Sequence, residues 1–179
     1  MTIIRVLAAA TIAGSVGALV GVLTAPSASA TALAEGSYRF TFDGSKRTTD
    51  GKPDPMHTSM TSAGIRSACP PTGCVATALE VWAVSQSVIP APSPNTWVYH
   101  ENNGQWEGSR PRDFDCNGDK VSGTETQSFN VLPDGTLAGV DTKLQAPCPT
   151  EVIPFTAKRT SPNLPATQMG QTPADPNTA

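Results

Sequence analysis

Cys69 and Cys74 bracket the turn Pro70-Pro71-Thr72-Gly73, and the chain leaves that turn into the longest apolar run outside its first thirty residues. Pro-Pro-Thr-Gly reads as a turn at the start of a stapled strand. Val75, Thr77, Leu79, Val81 and Ala83 would line one face of the run that follows, and Ala76, Ala78, Trp82 and Val84 the other. Both faces are largely apolar, which is the pattern of a strand buried on both sides. Seventeen prolines and fifteen glycines separate further short alternating runs. No helical periodicity survives beyond residue 30, so the chain is predicted to be all-β.

Residues 1 to 30 have the layout of a secretory signal: Arg5, an apolar stretch from Val6 to Leu23, and the small-residue site Ala28-Ser29-Ala30. Gly14, Gly17, Gly21 and Pro26 interrupt the stretch as a membrane anchor, and no cysteine before Cys69 could carry a lipid. Cleavage after Ala30 is expected, leaving no membrane span and a secreted or cell-envelope product. The remaining 149 residues suit one domain burying about 70 % of its unfolded surface. Eleven basic against fifteen acidic residues in that part give nucleic acid nothing to attract it. Four cysteines in an exported chain read as disulfides, with three possible pairings. Proximity favours Cys69 with Cys74 and Cys116 with Cys148, the second closing a loop worth about 3 to 4 kcal/mol. A zinc site is the rival, but the spacings lack a repeated Cys-x-x-Cys. No cofactor is expected.

Gly36 to Asp43 alternates strictly, with Tyr38, Phe40 and Phe42 on one face. Residues 44 to 60 read as a long polar connection. Ile65–Cys69 and Cys74–Val84 form a hairpin that Pro90, Pro92 and Pro94 end. A second hairpin, 97–99 with 105–107, turns at Asn102-Asn103-Gly104. Arg110 to Asp119 reads as a polar loop holding Cys116. Strands at 120–131, 137–144 and 151–159 follow, the first two joined by Pro133-Asp134-Gly135. About eight strands in an antiparallel meander close into a small barrel, with a two-layer β-sandwich as the alternative. The disulfide-bonded β domain is thus placed at 31–159. The Pro- and Thr-rich stretch 160–179 is expected to be a disordered tail.

Arg66-Ser67-Ala68-Cys69 followed by Gly73-Cys74-Val75-Ala76 resembles a signature of small exported proteins of mycobacteria and related actinobacteria. An early Gly-x-Tyr strand and a late Pro-Asp-Gly-Thr-Leu turn, here Pro133 to Leu137, accompany it. That resemblance spans most of residues 36 to 159 and implies a secreted or envelope domain without a catalytic residue. Gly36-Ser37-Tyr38 and Arg159 also resemble the first-strand aromatic and late arginine of lipocalin-like barrels, which implies a guanidinium stacked on that ring.

Asp113-Phe114-Asp115-Cys116-Asn117-Gly118-Asp119 opens as a calcium loop does, making Asp113, Asp115 and Asn117 candidate calcium ligands. Position twelve is Thr124 rather than Glu, and an Asx-rich turn is the competing reading. Glu125 and Gln127 share a face with Val121, Phe129 and Val131. They either enter the barrel, where with Trp97, Tyr99 and Trp106 they would line a ligand cavity, or are turned outward by a bulge at Gly123. Glu80 would mark a strand end or pair with Arg66. Trp97, Tyr99 and Trp106 could alternatively make a surface platform for sugars or peptides, or pack across strands. His57 and His100 read as solvated histidines. Three functional expectations result: a non-enzymatic barrel binding a small apolar ligand or cell-envelope component, a structural or interaction domain contacting an envelope protein, and an envelope hydrolase built around His100.

Overall fold

The computed structural model describes residues 32–81 and 96–164. The expected signal segment, the Trp82–Val84 end of the central run, the three prolines after it and the tail beyond 164 lie outside the described residues. Ten strands follow in order: β1 Gly36–Phe42, β2 Thr48–Thr49, β3 Lys52–Pro53, β4 Ser59–Ala68, β5 Val75–Val81, β6 Thr96–Asn102, β7 Gln105–Cys116, β8 Asp119–Val131, β9 Leu137–Leu144 and β10 Glu151–Ser161. A short 3-10 turn, Gly44–Lys46, follows β1. Eight strands pair in the order β1-β4-β5-β6-β7-β8-β9-β10, and β10 pairs back onto β1, so the antiparallel sheet closes into a barrel. The two-residue strands β2 and β3 form a hairpin on the start of β10. Closure decides the barrel over the sandwich.

Alternation sorts the side chains as the pleat requires. Tyr38 and Phe40, Ala63 and Ile65, Ala76 and Ala78, Trp97 and Tyr99, and Phe155 and Ala157 are all buried in one core. Val75 and Leu79 are buried as well, so β5 is covered on both faces as its sequence predicts. The aromatic rings interlock: Tyr99 stacks on Trp97 at 5.7 Å and meets Phe129 edge-on at 5.0 Å, and Phe129 meets Phe155 at 6.0 Å. Gly139 makes this possible. It stands opposite Phe129 on one side and Phe155 on the other, and a Cβ there would lie 2.6 Å from the Cα and Cβ of Phe129. At the far end Leu33 packs into the core, its carbonyl accepting from Ser67 Oγ at 2.7 Å, while Tyr38 Oη donates to the Ala34 carbonyl at 2.6 Å.

Three sequence expectations change. Residues 44–60 are not a featureless connection, because Asp50-Gly51, with positive φ at both, turns the β2–β3 hairpin, and Ser59–Ile65 already pairs with β1. Arg110–Cys116 is not a loop. It continues β7 in unbroken register with β8 as far as Cys116 opposite Asp119, around an Asn117-Gly118 turn with φ of 57° and 94°. β10 also runs two residues past Arg159. Both expected disulfides form, and Cys116–Cys148 ties the tip of the β7–β8 hairpin to the connection between β9 and β10.

Candidate functional site

The barrel has an open mouth at the end where β5 finishes and β10 begins. Strand register delivers ionisable groups to it. Arg110 on β7 stands opposite Glu125 on β8, which stands opposite Lys143 on β9, and two residues deeper Gln127 stands opposite Asp141. All these positions fall on the inward face. Arg110, Glu125, Gln127 and Asp141 are consequently buried among aromatic side chains, where a charge is tolerated only with partners.

Arg110 has them. Its Nε donates to Glu125 Oε2 at 2.8 Å, its Nη2 reaches Glu125 Oε2 at 2.7 Å and Glu80 Oε1 at 3.0 Å, and its guanidinium lies 4.1 Å over the Trp97 ring. Trp97 Nε1 donates to the same Glu80 oxygen at 3.2 Å, and Arg112 Nη1 donates to Glu125 Oε2 at 2.9 Å. Two arginines and two glutamates thus neutralise one another on a stacking surface, with several charge-assisted bonds. Deeper in, Tyr99 Oη donates to Gln127 Oε1 at 2.6 Å and Gln127 Nε2 donates to Asp141 Oδ1 at 3.0 Å. Burial pushes the Tyr99 hydroxyl well above its ordinary pKa. Burial, then the neighbouring Glu125 charge, pushes the Asp141 carboxyl up from 3.8 to about 6, and the Gln127 bond offsets only part of this.

The open cleft bounded by these groups has a volume of about 210 Å³. Its wall includes Glu80, Arg110, Arg112, Glu125, Asp141 and Lys143. Below it, between Phe40, Ala78, Trp97 and Gln127, the interior leaves a void of about 10 Å³, room for a single water. Around this void the rings of Trp97, Tyr99, Phe129 and Phe155 interlock. At the opposite end a groove of about 370 Å³ passes Tyr38, Asp134 and Lys158. Its charged groups are solvated.

Glu125 and Gln127 enter the barrel, and no bulge at Gly123 turns them out: Gly123 pairs with Arg112 in continuous register. Trp97, Tyr99 and Trp106 are buried and form no surface platform. Trp97 and Tyr99 line the void, and Trp106, in the same core, stands opposite Phe129 across β7 and β8. Glu80 pairs with Arg110 and not with Arg66, since Glu80 shares a face with Ala63 and Arg66 shares the opposite one with Thr77. Asp113 and Asp115 lie exposed on the outer face of β7. Asp113 accepts from Ser122 Oγ at 2.7 Å and Asp115 from the Gly118 amide at 3.0 Å, the bonds of an Asx-stabilised hairpin. Among the described residues no cluster of acidic, histidine or cysteine side chains could hold a metal ion. His57 is exposed, and among the described residues His100 lies on the outer face of β6 opposite Glu107, away from the cleft. Arg159 bonds the Glu35 carbonyl, and guanidinium stacking occurs at Arg110 over Trp97 instead.

Sequence reading missed Arg110, Arg112 and Asp141. Their signal was parity: Trp106, Gly108, Arg110 and Phe114 share one face of β7, and Leu137, Gly139 and Asp141 one face of β9. Among the described residues no helix is long and apolar enough to cross a membrane.

Comparison with known proteins gives a consistent picture. The family described as the PknI serine/threonine-protein kinase sensor domain matches residues 31–178. The solved monomer form of the M. tuberculosis PknI sensor domain superposes with a TM-score of 0.63 at 26% identity, covering 83% of this chain and 98% of that one. The dimer form gives a TM-score of 0.50 at 25% identity over 70% of this chain and 82% of that one. Among curated proteins no sequence matches. The likeness to small exported mycobacterial proteins thus resolves into a sensor-domain family, and the lipocalin likeness is not supported.

Proposed function

The chain belongs to the PknI serine/threonine-protein kinase sensor domain family, and from that premise we propose that it is a non-catalytic sensing domain working outside the cytoplasm, with the charged mouth of its barrel as the recognition site. Two disulfides and the secretory layout of residues 1 to 30 support the location. The observation that carries the site is the 210 Å³ cleft whose wall holds buried Arg110, Glu125 and Asp141. A purely structural barrel gains little from such groups, because hydrophobic replacements of similar volume are often at least as stable. A cleft of this size and polarity suits a small polar molecule of the cell envelope better than an apolar one.

The test is native mass spectrometry of the oxidised protein purified from its own culture medium, beside an Arg112→Ala variant. Arg112 is 47% exposed at the cleft rim, so its truncation leaves the fold intact. A copurified mass present in the parent and lost from the variant is expected. A bare parent mass, or the same adduct in both, sinks the mouth as the site. A second reading, contact with a protein partner, draws support from the relative solved in a dimer form. A dimer mass in the same spectra would favour it.

A further inference from the structure

Asp141 is the least satisfied charged group of the mouth. It is 2% exposed; its one hydrogen bond among the described residues comes from Gln127 Nε2 to Oδ1, while Oδ2 is not sealed off and faces the water of the cleft. Arg110 and Arg112 are both drawn to Glu125, and Lys143 Nζ leans 3.4 Å from Glu151 on the far side. No Lys or Arg closes on Asp141 within ion-pairing distance among the described residues. A carboxylate in the wall of an open cleft, with Arg110 and Lys143 near it but bonded to other carboxylates, is arranged for a cation that arrives with the ligand. The same cleft offers the opposite charge at its rim. Arg112 uses only Nη1 on Glu125, so its Nε and Nη2 remain as donors, and Lys143 is also part of the wall.

We propose that the mouth binds a small zwitterion, an amino acid or short peptide with free termini, whose ammonium group meets Asp141 and whose carboxylate meets Arg112 and Lys143. This deepens the recognition reading above and rests on it. The cleft, at about 210 Å³, is smaller than the roughly 300 to 1,000 Å³ of pockets for drug-sized ligands, which fits a molecule of one or two residues. The balance of charge argues against a simple anion or cation. An anion alone would leave Asp141 without a cation bonded to it, and a cation alone would leave Nε and Nη2 of Arg112 without an acceptor. No covalent step is involved.

The experiment titrates the oxidised, isotope-labelled protein with L-alanyl-L-alanine, its N-acetyl derivative and its C-terminal amide, following backbone amide resonances by NMR. The free dipeptide is expected to move amides around 110–112, 125–127 and 141–143 in a saturable way, and each blocked derivative to bind at least tenfold more weakly. Asp141→Asn is expected to lose at least tenfold in affinity for the free dipeptide while keeping a folded spectrum and an undiminished melting temperature, which separates lost binding from lost fold. Arg112→Gln should weaken the free dipeptide but not the amide. The N-acetyl derivative binding as tightly as the free dipeptide, unchanged affinity in Asp141→Asn, or no response at the mouth up to millimolar probe overturns the zwitterion. If the natural adduct is lost from Arg112→Ala but no dipeptide displaces it from the parent, the mouth remains the site and only its ligand class is wrong.

Discussion

Replacing Asp141 by Asn should make the free protein more stable at neutral pH. The carboxyl is buried beside Glu125, with Gln127 as its hydrogen-bond donor and with Arg110 and Lys143 near enough to compensate only in part. Each tenfold step in proton affinity is worth about 1.4 kcal/mol, so a carboxyl held at about 6 instead of 3.8 costs the folded state about 3 kcal/mol once both states are ionised. The sign follows from linkage. Well below 3.8, near pH 3 and lower, the group is protonated in folded and unfolded chains alike and the cost vanishes. As pH rises through about 6, the native protein must carry a charge that the unfolded chain carries in water, and that stability is lost. Asn keeps the oxygen that accepts from Gln127 and removes the charge, but its own N–H groups need acceptors, so a net gain of about 2 kcal/mol is expected. For a domain of this size that is a rise of about 4 to 8 °C in Tm. Urea denaturation followed by tryptophan fluorescence near pH 3 and near pH 7.5 reads it. The gain should be present at the higher pH, absent at the lower, and the parent's slope between them flattened. A variant destabilised equally at both pH values would refute the reasoning, since it would mean the carboxylate is already compensated in the fold.

Arg110→Ala removes the cation that Glu80 and Glu125 share and the group stacked on Trp97. It should cost about 3 to 5 kcal/mol in urea denaturation, with Arg110→Lys recovering only part because one ammonium cannot reproduce the fork. Gly139→Ala drives a methyl into the Ser128 carbonyl and Phe129 backbone, and a loss of about 2 to 3 kcal/mol with weakened near-UV circular dichroism from the Tyr99–Phe129–Phe155 cluster is the expected outcome. The double variant Cys116→Ser, Cys148→Ser opens a loop with a sequence separation of 32 and should lose about 4 kcal/mol of thermal stability, with a monomeric, still folded product at low temperature. Gly118→Ala forces a side chain onto a backbone at φ 94° and should cost about 1 to 2 kcal/mol, readable as faster amide exchange at the hairpin tip.

Much of the architecture was legible because a strand writes its own pattern. Gly36 to Phe42 and the strands from residue 120 onward alternate, and alternation with Asx-Gly punctuation fixes where strands run and where they turn. The one long misreading, Arg110 to Asp119 as a loop, has a definite cause. Arg110-Pro111-Arg112-Asp113 is rich in charge and carries a proline, so local propensity argues against a strand. Asn117-Gly118 is nonetheless the same hairpin signal as Asn103-Gly104, and the ladder between β7 and β8 pairs the residues on both sides of it. Of the site, Glu125 and Gln127 were marked by their shared face. Arg110, Glu80 and Asp141 could not be brought together from a list of residues, since they come from three strands far apart in the chain.

The amino-acid sequence by itself determined the all-β character, the strand periods, the turns and the local pairing of cysteines, because each depends on neighbours within a few tens of residues. Only the tertiary structure decided that β10 closes on β1, that aromatic rings from several strands interlock inside the barrel, and that opposite charges meet at one end. Closure is what converts an alternation of side chains into an inside and an outside. Once that inside exists, Arg110 acquires its two carboxylates, and Asp141, two residues deeper, has Gln127 as its hydrogen-bond partner while the nearby cations bond other carboxylates.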